Sequence, residues 1–448
     1  MNTDVKLTDD TANISETWQV TTHNSYNAII ESQPEKSKSD AFELLGIPLT
    51  NVSAVTSSLT AIFSLALTFA TIIKYAKDNK HQVALFKSQK RKEEIKEAKE
   101  KIEKFYGPFN SLLEESRVIY NHFAKDEKKE LKEKGDYFRT LRFLTEETGS
   151  ITGVDRLKPH DQELFKHIVD ISDKINNLIE IHGGCVENPA LHILLGNLAA
   201  HYKIIKSAYE GKLENQSENL EDIVFPLEIN GAIHSEINKL LRIIRVSEDK
   251  KNKVTNNKSI DFYNKNHILY SNQTKQVCMK SIYDKVRIHI ENGSTILDAG
   301  CGVGRDTEYF IKHGFKVISF DASLRMVEMC SEYPFAFCEH RSFSTINYPQ
   351  IFDLVWACAS LLHLNENYFK KAISNLFSCL RKDGYLYFSL KKIPQSHISK
   401  DQREYYFYDQ EFIDNLLCKT YSMSKVDVWE TPSNLNSSDI FINYIYKK

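Results

Sequence analysis

The stretch Ile296-Leu297-Asp298-Ala299-Gly300-Cys301-Gly302-Val303-Gly304-Arg305-Asp306 decides the fold of the C-terminal part of this 448-residue chain. A short apolar strand runs into a glycine-rich turn and then into a helix. Such a turn lets backbone amides come close to a nucleotide-like ligand, and a helix N-terminus offers N–H donors that lack an intrahelical partner. The next strand pattern, Lys316-Val317-Ile318-Ser319-Phe320, ends on Asp321. That carboxylate lies about 20 residues past the glycines, where it can accept from both hydroxyls of a ribose. Asp321 also reads as a helix N-cap, because Ala322-Ser323 opens a helical run.

Glycine spacing separates two nucleotide-binding folds. A dinucleotide fingerprint needs G-x-G-x-x-G, whose third glycine lets helix and strand pack closely. Counted from Gly300, that third position is Arg305, a poor replacement. The glycines instead alternate as Gly300, Gly302 and Gly304 behind Asp298. This pattern resembles motif I of the class I S-adenosylmethionine-dependent methyltransferases, and the resemblance extends over roughly residues 258–448. Phe352-Asp353-Leu354-Val355-Trp356-Ala357-Cys358-Ala359-Ser360-Leu361-Leu362-His363-Leu364 is similar to the family's fourth strand and its exit loop. Leu380-Arg381-Lys382-Asp383-Gly384 is similar to the turn into its fifth strand, with Asp383 where the family often has glycine. The β-rich runs 425–430 and 440–446, parted by Thr431-Pro432-Ser433-Asn434, resemble its final antiparallel pair.

The resemblance implies a Rossmann-like, seven-stranded doubly wound sheet and S-adenosylmethionine as cofactor. It implies that the glycine loop backs onto the methionyl part and that Asp298 orients that part and the loop. Asp321 would take the ribose, with Ala322 packed near the adenine. Ser342 and Phe343 occupy the adenine-contact position, although this chain lacks the acid found there in relatives. Ala357 and Cys358 would wall the transferred methyl, and Tyr270, in an N-terminal lid that also holds Tyr263, would reach the cofactor's carboxylate.

Methyl transfer needs a base only when the acceptor must lose a proton. His363 follows the fourth strand at the carboxyl edge, where α/β sheets hold ligands, and is the candidate; a histidine that merely caps the loop is the plainer reading. Lys391, Lys392 and Arg403 are candidate contacts for an anionic acceptor, or simply solvated surface. No Asn/Asp-Pro-Pro-Tyr follows the fourth strand and no Pro-Cys is present, which speaks against methylation of DNA bases. With 58 basic against 60 acidic residues, the net charge of −2 offers nucleic acid no electrostatic footing. A small molecule, a lipid-like compound or a protein side chain remains as acceptor. A sensor that binds the cofactor or its product without turnover, and a membrane scaffold, are the competing classes.

Upstream, residues 51–73 carry no charge, and none occurs from Leu44 onward. Twenty-three helical residues rise about 35 Å, enough to cross a hydrocarbon core of about 30 Å. Ser53, Ser57, Thr60, Ser64, Thr68 and Thr71 share one face, a small-residue stripe that permits self-association of spans. Lys74, Lys77, Lys80, Lys87, Lys90, Arg91 and Lys92 follow, whereas Asp40 and Glu43 precede. By the positive-inside rule the N-terminus is outside and the C-terminal bulk cytoplasmic. All eight cysteines follow the span without a Cys-x-x-Cys pair, so reduced thiols are expected.

Between span and catalytic part the pattern is helical. Residues 91–104 form a solvated amphipathic helix that Gly107-Pro108 is expected to break. Apolar periodicity returns at Leu164, Ile168, Ile171 and Ile175, at Leu191, Leu194, Leu195 and Leu198, and at Ile233, Ile237, Leu240 and Ile244. His160, His167, His182, His192 and His201 lack partners at ligand spacing. The expected organisation is an extracytoplasmic tail (1–43), a transmembrane helix (44–76), an all-α bundle (80–246), a linker (247–259) and a methyltransferase domain (260–448).

Overall fold

The structure, a computed structural model, describes residues 49–134, 138–145, 153–213, 223–245, 258–392, 403–435 and 439–448. The expected tail, the first residues of the expected span and linker residues 247–257 lie outside these, as does the side chain of Ser53. The chain divides into two compact units, residues 1–88 and 89–448.

Helix α1 (Leu49–Lys101) runs through the first unit into the second. Among the described residues it begins the one helix long and apolar enough to cross a membrane. Its apolar side chains are exposed, Phe63 by 78% and Leu65 by 73%. The hydroxyls of Ser64, Thr68 and Thr71 each donate to the carbonyl four residues back, at 2.5, 2.7 and 2.7 Å, and Thr60 to that of Ser57 at 2.9 Å. Gly107-Pro108 does not break the helix, contrary to the sequence expectation. A π-turn over Ile102–Tyr106 absorbs one extra residue, with Gly107 N–H donating to the Ile102 carbonyl, and α2 (Gly107–His122) continues through Pro108.

The second unit assembles α3 (Lys125–Glu133), α4 (Thr140–Thr145), α5 (Pro159–His182), α6 (Pro189–Tyr209) and α7 (Glu228–Arg245) with the tail of α1 and α2. The periodic residues Ile171, Ile175, Leu191, Leu195, Leu198 and Ile233 form its core, as their spacing requires. His201 is half-buried beside Tyr202 and Phe225, and desolvation pushes it down to about 4, so it is a neutral packing residue.

Helices α8 (Lys258–Thr274) and α9 (Lys280–Arg287) lead into an alternating pattern: β1 (Thr295–Ala299), α10 (Arg305–Lys312), β2 (Lys316–Asp321), α11 (Leu324–Cys330), β3 (Cys338–His340), β4 (Phe352–Ala357), α12 (Glu366–Cys379), β5 (Leu380–Lys391), α13 (Gln410–Asp414), β6 (Ser424–Pro432) and β7 (Ile440–Lys447). The seven strands are ordered β3-β2-β1-β4-β5-β7-β6, and only the pairings of β7 with β5 and β6 are antiparallel. The expected seven-stranded sheet with its terminal pair is thus present, although β6 runs on through Thr431 and Pro432, which the sequence reading gives to the turn. Asp383 makes its turn with φ +64°.

Both sheet faces are covered. Leu297, Ile318, Val355 and Phe388 pack against α12, while Ile296, Leu354, Trp356 and Tyr387 pack toward α9, α10 and the helical layer. Alternate residues of each strand therefore serve different cores, as the two-residue repeat demands. Helix α7 lies directly on the α10–β2 connection: a Cβ on Gly231 would stand 2.8 Å from both Ile311 Cγ2 and the Phe315 carbonyl oxygen. Gly196, on α6, has nothing within 4 Å of that position. Gly231→Ala is therefore expected to lower stability by about 1–3 kcal/mol through overpacking, and Gly196→Ala to raise it by about 0.4–1 kcal/mol. Thermal unfolding of the detergent-solubilised chain checks both; equal midpoints would contradict this close approach.

Candidate functional site

The turn after β1 is built so that its backbone faces space. Gly302 has φ +54°, and a Cβ there would meet nothing nearer than Tyr270 Cε1 at 3.9 Å. Gly304, φ +81°, serves packing instead, since a Cβ would lie 2.8 Å from Cys330 Sγ. The loop is strapped to β2 by Gly300 N–H and Cys301 N–H, both donating to the Phe320 carbonyl at 2.9 and 3.0 Å.

Above this turn opens a cavity of about 380 Å3, within the range that holds small ligands. Of the residues named from sequence, Gly300, Gly302, Asp321, Ala322, Ser342, Phe343, Tyr270 and His363 line it. Asp298, Gly304 and Ala357 do not. Ala357 is fully buried and its neighbour Cys358 supplies the wall. Asp298 lies behind the loop, where it accepts from Thr307 Oγ1 at 2.6 Å, and Thr307 in turn meets Ser319 Oγ at 2.7 Å. Its place is to fasten α10 to the sheet.

Asp321 is not the helix cap. Ser323 caps α11, with its hydroxyl accepting from Met326 N–H at 3.3 Å. The Asp321 carboxylate accepts from Gly302 N–H at 2.9 Å and Ser323 N–H at 2.8 Å. Burial pushes its pKa up to about 6, against the pull of those two amides.

Part of the cavity wall is a charge pair that the sequence reading missed. Asp306 accepts from Arg305 Nε at 2.6 Å and Nη2 at 3.0 Å, from Tyr283 Oη at 2.5 Å and from Trp356 Nε1 at 2.8 Å. Burial works to raise its pKa, but the Arg305 guanidinium and the two neutral donors hold it below the usual carboxylate range. Asp298 goes the other way: burial, then the charge of Asp306, raise it well above that range. Among the described residues, Arg305 is the only Lys or Arg lining the cavity. In the sequence it was visible only as a failed third glycine.

Lid helix α8 closes one side and is pinned to α11 by Ser323 Oγ donating to Asn264 Oδ1 at 2.8 Å. Its Tyr263 stands edge-on to Tyr270, ring centroids 5.1 Å apart, and its hydroxyl is 2.9 Å from His363 Nε2. His363 Nδ1 lies 2.7 Å from the Glu404 carbonyl oxygen, which can only accept. The proton therefore sits on Nδ1, and Nε2 accepts from Tyr263. Tyr263 is thus part of the site rather than ordinary packing. Cys358 is half-buried in the cavity wall, and burial, then the Asp306 charge, push its thiol up to about 12. The cations considered for an anionic acceptor are engaged elsewhere, Lys391 with Asp439 at 2.8 Å and Lys392 with Glu430 at 2.6 Å, while Arg403 lies over the Phe262 ring at 4.6 Å.

The C-terminal part of the chain is similar to several known proteins. Residues 296–384 match the family described as "Methyltransferase domain". A malonyl-[acyl-carrier protein] O-methyltransferase of Salmonella typhimurium is 28% identical over 136 residues, covering 28% of this chain and 53% of that protein. The chain thus spans about half the length of this curated relative. Among solved structures, a 1,6-didemethyltoxoflavin-N1-methyltransferase of Burkholderia thailandensis, with S-adenosylhomocysteine bound, aligns with 42% of this chain and 84% of its own at 18% identity, TM-score 0.36. A magnesium protoporphyrin IX methyltransferase of Synechocystis aligns with 44% of this chain and 100% of its own at 16% identity, TM-score 0.33. The family match over residues 296–384 supports a class I S-adenosylmethionine-dependent methyltransferase domain in the C-terminal part of the chain.

Proposed function

We propose that the chain is a membrane-anchored S-adenosylmethionine-dependent methyltransferase acting on a small-molecule, lipid-like or protein acceptor. The observation that carries this reading is a single cavity bordered both by the Gly302–Asp321 nucleoside cradle and by the Tyr263–His363 pair. The residues present fit the cofactor. The floor over Gly302 is bare backbone. Asp321 uses one acceptor position of each oxygen on an amide, and an ionised carboxylate has about four, so two remain for a ribose diol. Arg305 matches a carboxylate, with Tyr270 facing the loop beside it. The Phe343 ring, edge-on to Phe320 at 5.2 Å, offers an adenine an apolar wall together with Ala322 and Ser342.

When bound, the cofactor supplies a methyl group on a sulfonium whose leaving group is neutral. The protein's part is alignment, which supplies much of the acceleration, and removal of a proton where the acceptor carries one. An acceptor that donates to Tyr263 Oη passes its proton there as Tyr263 passes its own to His363 Nε2. The resulting imidazolium keeps its Nδ1–H on the Glu404 carbonyl. His363 is thereby the base, acting through Tyr263.

Membrane anchoring rests on the exposed apolar side chains of α1 and on hydroxyls already bonded to their own backbone, which lowers their cost in lipid. The lysines after the span put the catalytic domain in the cytoplasm and the N-terminus outside, and the Ser/Thr face favours self-association. After an alkaline carbonate wash the full chain is expected in the membrane pellet; release into the supernatant would refute the anchor.

Calorimetric titration with S-adenosylhomocysteine tests the cofactor site. Asp321→Ala removes two charge-assisted hydrogen bonds, each worth about 1.5–3 kcal/mol, so affinity is expected to fall at least tenfold. In the intact protein the carboxylate is ionised above pH about 6, so affinity falls as pH drops through that value. Asp321→Asn should flatten the profile, and unchanged binding in both variants would contradict the ribose assignment.

In turnover assays over small-molecule, lipid and peptide acceptors, Tyr263→Phe and His363→Gln are each expected to slow transfer to a protonated acceptor by about 10²–10⁴-fold. Cofactor binding should persist. Equal rates in variant and parent would remove both residues from the mechanism, and cofactor binding with no turnover on any acceptor would favour a sensor.

A further inference from the structure

Three thiols meet behind the glycine turn. Cys301 comes from the turn itself, Cys330 from the end of α11 and Cys338 from the start of β3, and their sulfurs all lie within 4.8 Å of one another. No fourth His, Cys, Asp or Glu joins them among the described residues, whereas a structural zinc site needs four ligands. The environments differ. Cys330 is 1% exposed beneath Gly304 and Cys338 is 6% exposed in the sheet, but Cys301 is partly exposed and lines the cavity. Its Sγ stands 3.4 Å from that of Cys338.

We propose that Cys301 and Cys338 form a reversible disulfide whose formation and cofactor binding exclude each other. The oxidant is a peroxide. Attack of the Cys301 sulfur on hydrogen peroxide gives a sulfenic acid and one water; the Cys338 thiol then displaces the second water. Two thiols and one peroxide become one disulfide and two waters. Cys301 is the first to react because, of the three residues, only it borders the cavity from which peroxide arrives.

Exclusion follows from where Cys301 sits. Bonding draws the two sulfurs from 3.4 Å to about 2.05 Å. The movement pulls on a residue flanked by Gly300 and by Gly302, whose N–H holds Asp321 at 2.9 Å. Conversely, a ligand resting on the turn holds it against that movement. Linkage makes the two effects reciprocal: if oxidation weakens cofactor binding, bound cofactor must disfavour oxidation by the same factor. The pairing stands on the thiol geometry alone, whereas the exclusion rests on the cavity taking S-adenosylmethionine or its product.

The test uses the full chain in detergent. S-adenosylhomocysteine binding to the reduced protein is measured first. The chain is then treated with hydrogen peroxide, with and without saturating S-adenosylhomocysteine, and its peptides are mapped by mass spectrometry. The expected result is a peptide cross-linked between Cys301 and Cys338, released by dithiothreitol, forming at least tenfold more slowly with ligand bound. The oxidised chain should bind at least tenfold more weakly. Cys338→Ser, with Cys338→Ala as the packing alternative, should keep reduced-state affinity and lose its sensitivity to peroxide. No cross-link, or one from Cys301 to Cys330, overturns the pairing. Cross-linking at equal speed with ligand demonstrably bound overturns the exclusion alone. Failure of the reduced chain to bind overturns the cofactor reading and the exclusion, but not the disulfide.

Discussion

The buried carboxylate of Asp306 is the constraint on which the site depends. Its donors come from three places: Tyr283 on α9, Trp356 on β4 and its own neighbour Arg305. An ionised group this far from water survives only when its oxygens are filled, and removing a partner from such a set typically costs about 3–5 kcal/mol. The four bonds fix the first turn of α10 against the sheet, and with it the direction in which the glycine turn presents its amides. Placement in that first turn adds the favourable end of the helix dipole. Arg305, held to Asp306 by two of those bonds, keeps a cation at the cavity wall without a mobile side chain.

The same constraint explains why the helical layer is part of the catalytic unit. Tyr283 reaches Asp306 from α9, and α9 shares a core with Ile229, Ala232 and Ile233 of α7 and with Phe105 and Phe109 farther upstream. Glu114 of α2 pairs with Lys316 at the start of β2, and Tyr333 Oη donates to Glu228 of α7 at 2.9 Å. The layer thus covers a sheet face and buttresses the helices that hold the glycine turn. Among its described residues none forms a reactive or metal-holding cluster, and burial holds the half-buried His201 and His234 neutral.

What was legible in the sequence was local. Glycine alternation, an acid at the next strand end and two-residue apolar alternation are properties of short windows, and the turn and the strand ending on Asp321 followed from them, whereas the seven-stranded sheet with its terminal pair was implied only by the resemblance. The lid was legible only by resemblance. Its working part was not, because the His363 tautomer is set by the backbone carbonyl of Glu404, and a backbone atom leaves no trace in residue identity. Arg305 was seen but misread, since its meaning depends on Tyr283 and Trp356 arriving from elsewhere. Helical periodicity announced buried faces on α5, α6 and α7 but could not name what they bury against. Gly107-Pro108 misled for a different reason: a π-turn lets a helix absorb residues that usually end one.

Three aspartates surround the turn, and their environments set three different states. Asp306 is charged because its partners outweigh its burial. Asp298 is driven toward neutrality by burial beside that charge, and its one oxygen bond, to the Thr307 hydroxyl, suits a fastening role. Asp321 lies between them, at about 6, and only it borders the cavity with acceptor positions to spare. A carboxylate satisfied on every side cannot gain from a ligand, and one kept neutral gains little. Division of labour among these acids therefore follows from what each already touches, and of the three only Asp321 is left with acceptor positions to offer a ligand.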